Sequence, residues 1–327
     1  MRRREFLGLV GGAAVAWPLS ARGQPAMPII GLLGSASLAL WATRMHAFHQ
    51  GLRETGYVDG RNVKIEYRWA EGRNDRLPAL AADLVGRRVT VIVAPGSTPA
   101  ALAAKAATST IPIVFWIGGD PVELGLVASL NKPEGNITGV TTLATEVGPK
   151  RLELLHELLP AATVLALLVN PTSPGLAVST TKEVQAAARA LGVQLHVLHA
   201  STDRELNAVF ANLIKLRAGG LVIGNDAFFS SQFERLSSLA LRYEVPTVYQ
   251  FREFAAAGGL MGYGGSLSDA FRGAGVYTGR ILKGEKPADL PIQQQTKVEL
   301  IINLKTAKAL GLDVPLSLQQ RADEIVE

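Results

Sequence analysis

Two stretches of this chain, residues 61–116 and 192–251, pass through the same succession of patterns. Each starts with an apolar or β-branched run, turns through polar residues and enters a segment with apolar side chains at helical spacing. Each then gives a second strand, a small or polar turn and a second helix, and ends on a strand led by proline. The turns Pro95-Gly96-Ser97-Thr98 and Gly224-Asn225-Asp226-Ala227 fall at the same place in the two copies. A repeat of this length is half a protein and not a solenoid unit. Strands alternating with helices require right-handed crossovers and parallel sheets covered on both faces. The expected fold is therefore α/β, with two Rossmann-like lobes that each carry a strand-to-helix turn at the carboxyl end of a parallel sheet.

The strands expected from β-branched and apolar runs are 29–33, 63–69, 90–94, 113–116, 164–169, 194–198, 220–223 and 247–250. Helices are expected over 76–86, with Leu77, Leu80, Ala81 and Leu84 on one face, and over 206–216, with Asp203 as its cap. After both halves are complete the chain still offers a short strand among glycines (258–265), a helix (266–282) and an extended run (291–302). The helix has Ser266 or Ser268 as cap and Gly284 as stop. A terminal helix is expected over 304–310. Leftover strands imply a chain that passes back and forth between lobes. Hinge crossings are expected near 137–141, 260–263 and 291–296. The first lobe then comprises 27–138 plus about 262–291, and the second 141–258 plus about 296–327.

Residues 1–23 hold four arginines and one glutamate and so carry +3 of the net +5, leaving +2 for the remainder. With no basic run after that start, nucleic acid is not an expected partner. The segment has a basic beginning, an apolar stretch from Leu7 to Trp17 and the small-x-small sequence Ala21-Arg22-Gly23, the layout of a cleavable secretory signal. Arg3-Arg4 followed by Glu5, Phe6 and Leu7 resembles the twin-arginine export type. The apolar stretch is well short of the roughly 20 residues a spanning helix needs. Cleavage near Gly23-Gln24 and a periplasmic location are expected, and fold reasoning begins near Met27. The chain has no cysteine, which excludes disulfides, thiolate metal sites and cysteine nucleophiles.

Catalytic motifs are missing. PGSTPAALAAK lacks the spacing that wraps phosphate in backbone amides, and GLLGSAS after the first strand is not a dinucleotide fingerprint. His46 and His49 share a helix face without a nearby carboxylate to complete a metal site. His196 and His199 sit in a strand at an offset that sends them to opposite faces. No G-x-S-x-G elbow appears, and His156 lies on a helix between Glu153 and Glu157, a pattern of a solvated face. No cofactor and no metal are expected. What stands out is a set of small polar residues at strand ends: Ser35, Ser97, Thr98, Asp120, Asn170 and Asp226. Each alone reads as readily as a helix N-cap. Converging on one cleft, hydroxyls and helix-start amides suit a carboxylate, and a buried aspartate suits an ammonium group. Ser97 and Thr98 are expected at the carboxylate, and Asp226 or Asp120 at the ammonium. Phe251 and Tyr263 are candidates to stack on an aromatic ligand.

Several long runs occur together: GDPVELGLVASL (119–130), GNITGVT (135–141), NPTSP (170–174), FREFAAAGGLMGYG (251–264) and TGRILKGEKPADLPIQQQTKVELIINLKTAKALGL from Thr278. In these the mature chain resembles the solute-binding proteins of ABC transporters, of the type related to tryptophan-binding proteins. Lys132-Pro133-Glu134 departs from the small-residue run more usual before GNITG. The resemblance implies a type I periplasmic-binding-protein fold with three hinge crossings, closure on a small-molecule ligand and no catalysis. It implies an ABC permease and ATPase as partners of a monomer, and it matches Ser35, Ser97, Thr98, Asp120, Asn170 and Asp226 to cleft loops. A ligand sensor on the same fold is the alternative, and an exported hydrolase a more distant one.

Overall fold

The computed structural model describes residues 27–142, 147–295 and 297–327. The expected export segment and its cleavage point at Gly23-Gln24 lie outside the described residues. The first lobe begins with β1 (Ile29–Gly34), α1 (Leu38–Glu54), β2 (Lys64–Trp69), α2 (Leu77–Gly86) and β3 (Val91–Pro95), then α3 (Thr98–Ala107), β4 (Ile113–Ile117) and β5 (Ile137–Thr141). The chain then crosses to the second lobe: α4 (Gly148–Leu158), β6 (Val164–Val169), α5 (Pro174–Leu191), β7 (Gln194–His199), α6 (Asp203–Lys215) and β8 (Leu221–Ile223). That lobe continues with α7 (Ala227–Ser230), α8 (Phe233–Arg242), β9 (Thr247–Tyr249), α9 (Arg252–Ala256) and β10 (Met261–Gly264). The chain returns to the first lobe for α10 (Leu267–Leu282) and β11 (Gln293–Gln294). It finishes in the second with β12 (Glu299–Asn303), α11 (Leu304–Ala309), α12 (Leu316–Arg321) and β13 (Glu324–Val326).

Among the described residues the first sheet has the order β11-β5-β4-β3-β1-β2, and all its pairings are parallel. The second has the order β13-β12-β10-β9-β8-β6-β7, with one antiparallel step between β10 and β12. β3 (VIVAP) and β4 (IVFWI) are buried at every position, as strands covered on both faces must be. The edge strands β2 and β7 carry the polar residues.

The chain passes between sheets after β5, after β10 and after β11. Residues 137–141 are themselves the strand β5 of the first sheet, and 261–264 are β10 of the second, so both crossings come a few residues later than the sequence suggested. The extended run 291–302 is divided, its start pairing with β5 and its end with β10. Thr202, not Asp203, caps α6 by accepting from the Glu205 N–H, and Asp203 is the first helical residue. Ser266 caps α10. α12 and β13 were not foreseen.

The returning helix α10 binds the first lobe through backbone contact with α1. A Cβ on Gly51 would lie 2.0 Å from the Arg272 carbonyl oxygen, and one on Gly275 would lie 2.2 Å from that of Phe48. Neither oxygen can yield as a flexible side chain can. Gly51→Ala is expected to force the helices apart and destabilise the protein by about 3 kcal/mol, the upper end of overpacking penalties. Denaturant unfolding measures this, and an unchanged midpoint would contradict it.

Candidate functional site

One cavity of about 310 Å³ opens between the lobes at the carboxyl ends of both sheets. That is within the ~300–1,000 Å³ of small-molecule sites. Its walls follow the internal repeat. The loop after β1 contributes Ser35, Ala36 and Ser37, and its counterpart after β6 contributes Asn170 and Ser173. The turn after β2 contributes Glu71 to Asn74, and its counterpart after β7 contributes Ser201, Thr202 and Asp203. The turn after β8 adds Asp226, Ala227 and Phe228.

Asp226 is the most constrained group. It is 4% exposed and caps α7. Its Oδ1 accepts from Asn170 Nδ2 (2.7 Å) and the Phe228 N–H (2.8 Å), and its Oδ2 accepts from Ser173 Oγ (2.7 Å). Burial pushes its pKa above the ordinary carboxylate value, and these donors oppose that push. An ionised carboxylate offers about four acceptor positions, so Oδ2 is the oxygen with room for a further donor. Across the cavity, the Ser35 and Ser97 hydroxyls share a short hydrogen bond. Ser97, 1% exposed, also accepts from the Ala100 N–H (3.1 Å) and so caps α3. Three longer helices, α1, α5 and α6, start at this cavity. Their N-terminal ends turn the positive end of the helix dipole toward it.

The structure thus brings Ser35, Asn170 and Asp226 together on the wall, with Ser97 one layer behind Ser35. Thr98 is buried at the start of α3, off the wall. Asp120 accepts from the N–H groups of Val122 (2.7 Å) and Glu123 (3.4 Å) and borders a separate groove between Leu124 and Leu176. Phe251 is core: it is 1% exposed and its ring packs on Trp116, Phe233 and Tyr249. Tyr263 lies in β10 against the second-lobe core, and its carbonyl accepts from Arg151 Nε at 2.8 Å. Sequence reasoning missed the turns Glu71 to Asn74 and Ser201 to Thr202, along with Ser173. The turns occupy matching places in the two repeats, and that symmetry was the available signal.

The lobes are in contact. Asn74 Nδ2 donates across the gap to Thr172 Oγ1 (3.1 Å) and to the Thr172 carbonyl (3.2 Å). Arg44 of α1 donates to the Ser230 carbonyl. One apolar cluster runs without a break from Trp41 and Trp116 in the first lobe to Phe233 and Phe251 in the second. Ser230 Oγ pairs with the Asp226 carbonyl and with Tyr249 Oη, each at 2.9 Å, which is no arrangement for a nucleophile. Among the described residues, no group of three or more His, Asp or Glu is placed to hold a metal ion. No helix there is long and apolar enough to cross a membrane.

Two parallel-stranded lobes, three crossings and a cavity between facing strand ends define the type I periplasmic-binding-protein fold. The chain belongs to the ABC transporter substrate-binding protein family, whose model matches residues 39–326. It is therefore a substrate-binding protein and not an enzyme. It is 29% identical over 265 residues to a tyrosine-binding protein of Clostridioides difficile (strain R20291), covering 81% of this chain and 75% of that one. Among solved structures it is similar to an ABC domain from Streptococcus pneumonia in complex with L-Trp. That match has a TM-score of 0.80 and 24% identity, covering 91% of this chain and 99% of the other. It also matches the ligand-free, open structure of a substrate-binding protein with adhesive properties from Clostridium difficile. There the TM-score is 0.62 at 25% identity, with the same two coverages.

Proposed function

We propose that this chain is the exported, periplasmic solute receptor of an ABC importer, and that it captures an aromatic α-amino acid. It would act as a monomer and hand the ligand to a membrane permease and its ATPase. The observation that carries this reading is Asp226, a buried carboxylate on the cavity wall among three helix N-termini. A zwitterion fits such a field. Its ammonium pairs with Asp226 Oδ2, since a charge withdrawn from water must find a partner. Its carboxylate sits at the start of α1, with the Ser35 hydroxyl and the amides that follow. Ser97 supports that grip by fixing Ser35, in place of the direct contact expected from sequence. The ring of Phe228 faces the ligand's side chain. The tyrosine-binding relative and the L-Trp complex support an aromatic side chain.

Titration calorimetry with L-tyrosine and L-tryptophan tests the proposal. Binding on the order of micromolar or tighter is expected for at least one. Binding of neutral sugars with no response to either amino acid would refute it. The pH dependence has a definite sign. Protonated Asp226 cannot pair with ammonium, so affinity is expected to weaken as pH falls through its raised pKa. The unliganded protein moves the other way. A carboxyl whose folded pKa is raised contributes stability that is full at low pH and is lost as pH rises through the folded value. Melting points with and without ligand are therefore expected to converge on acidification.

A further inference from the structure

An arginine that is not part of the cavity wall bridges the two lobes. Arg44 lies on α1 about two turns beyond Ser37. Its guanidinium carbon is 4.9 Å from the ring centre of Trp41 in its own lobe and 4.8 Å from that of Phe233 in the other. Its Nη2 donates to the carbonyl of Ser230, the last residue of α7, where helix carbonyls lack helical partners. Trp41 packs on Phe271 at 5.1 Å, Phe271 on Trp116 at 5.2 Å, and Trp116 on Phe251 of the second lobe at 6.2 Å. Phe251 returns to Phe233 at 6.2 Å, so a chain of rings runs from Trp41 to Phe233 and the guanidinium bridges its two ends.

We propose that Arg44 is the latch of this cleft, a positioning residue that touches no ligand and sets how long the lobes stay closed over one. The inference rests on the ligand site proposed above, and the two elements it ties are those that form that site. α1 starts at the Ser35 to Ser37 loop, and α7 starts at Asp226 and ends at Ser230. Ser230 is itself fixed to Asp226, its N–H and Oγ both donating to the Asp226 carbonyl at 2.9 Å. A flat guanidinium fills a slot between two ring faces while its in-plane N–H groups reach a carbonyl. An ammonium is a point charge that cannot do both.

Arg44→Gln and Arg44→Lys test the latch, with L-tyrosine and L-tryptophan as probes in stopped-flow dissociation and with small-angle scattering of the ligand-free proteins. Arg44→Gln is expected to speed dissociation about tenfold or more while association changes less than about threefold, the usual division of effects within one interface. Its ligand-free scattering is expected to shift to a larger radius of gyration. Arg44→Lys is expected to fall between Arg44→Gln and the unaltered protein. Phe233→Leu, which removes the far ring and leaves Arg44 in place, is expected to act in the same direction and stands in if Arg44→Gln misfolds. Unchanged dissociation and unchanged scattering in folded variants would overturn the latch while leaving the amino-acid site standing. If the unaltered protein binds neither amino acid, the site proposal fails and scattering alone still decides the latch.

Discussion

Asp226→Asn is expected to weaken binding of an aromatic α-amino acid by about 100-fold, close to 2.7 kcal/mol, while leaving the fold intact. The substitution removes a charge and little else. Asparagine Oδ1 still accepts from Asn170 and the Phe228 N–H, and its amide nitrogen meets the Ser173 hydroxyl, which turns to accept. The variant sheds a buried charge, so its unliganded melting point is expected to hold or rise. What it loses is the partner of a desolvated ammonium, and removing one member of such a pair costs about 2–5 kcal/mol. The control is a ligand without the ammonium group. 3-(4-Hydroxyphenyl)propanoate is expected to bind the variant and the unaltered protein within about threefold of each other, as a charged pair it never makes cannot be lost. If calorimetry finds equal losses for L-tyrosine and its deaminated analogue, Asp226 is not the ammonium partner.

That Asp226, Asn170 and Ser35 share a wall was legible because each ends a strand of unmistakable apolar character, and strand ends converge in this architecture. The depth of a side chain was not legible. Phe251 follows β9 as Asp226 follows β8, yet its ring turns into the aromatic core. Alternation along a strand separates two faces of a sheet and says nothing about which lobe fills the space beyond its end. Glu71 shows another limit. It adopts φ 56° and is followed by Gly72 at φ 78°, and this double left-handed turn brings Arg73 and Asn74 to the cavity. Glutamate rarely occupies that region, so its side chain gave no sign of the turn. Arg151 shows a third limit. In GPKRLELLHEL an arginine gives no sign of burial, yet Arg151 is 1% exposed and burial lowers its pKa to about 10. It supports the Tyr263 carbonyl, an interaction between residues 112 apart that local pattern cannot reveal.

Closure is tested most directly at Gly118, the residue after β4 that meets the second lobe. A Cβ there would lie 1.5 Å from Asn225 Nδ2 and 2.5 Å from its Cγ. Asn225 cannot simply swing aside, because its Oδ1 holds Gln250 Nε2 in a short hydrogen bond at the end of β9. A methyl at this point therefore pushes one lobe off the other. Gly118→Ala is expected to weaken every ligand by about 10–100-fold, since each 1.4 kcal/mol taken from the closed state is tenfold in affinity. The unliganded melting point is expected to stay within a few degrees, because in an opened cleft the methyl faces water and strains nothing. The ammonium is irrelevant to this clash, so L-tyrosine and its deaminated analogue are expected to lose equally, which sets the variant apart from Asp226→Asn. Asn225→Gly in the Gly118→Ala background removes the obstructing amide and is expected to restore much of the affinity, a coupling that a double-mutant cycle measures. Unimpaired binding by Gly118→Ala would mean that ligand is held without the lobes meeting at this point, and the closed arrangement of Gly118 against Asn225 would then have no part in capture.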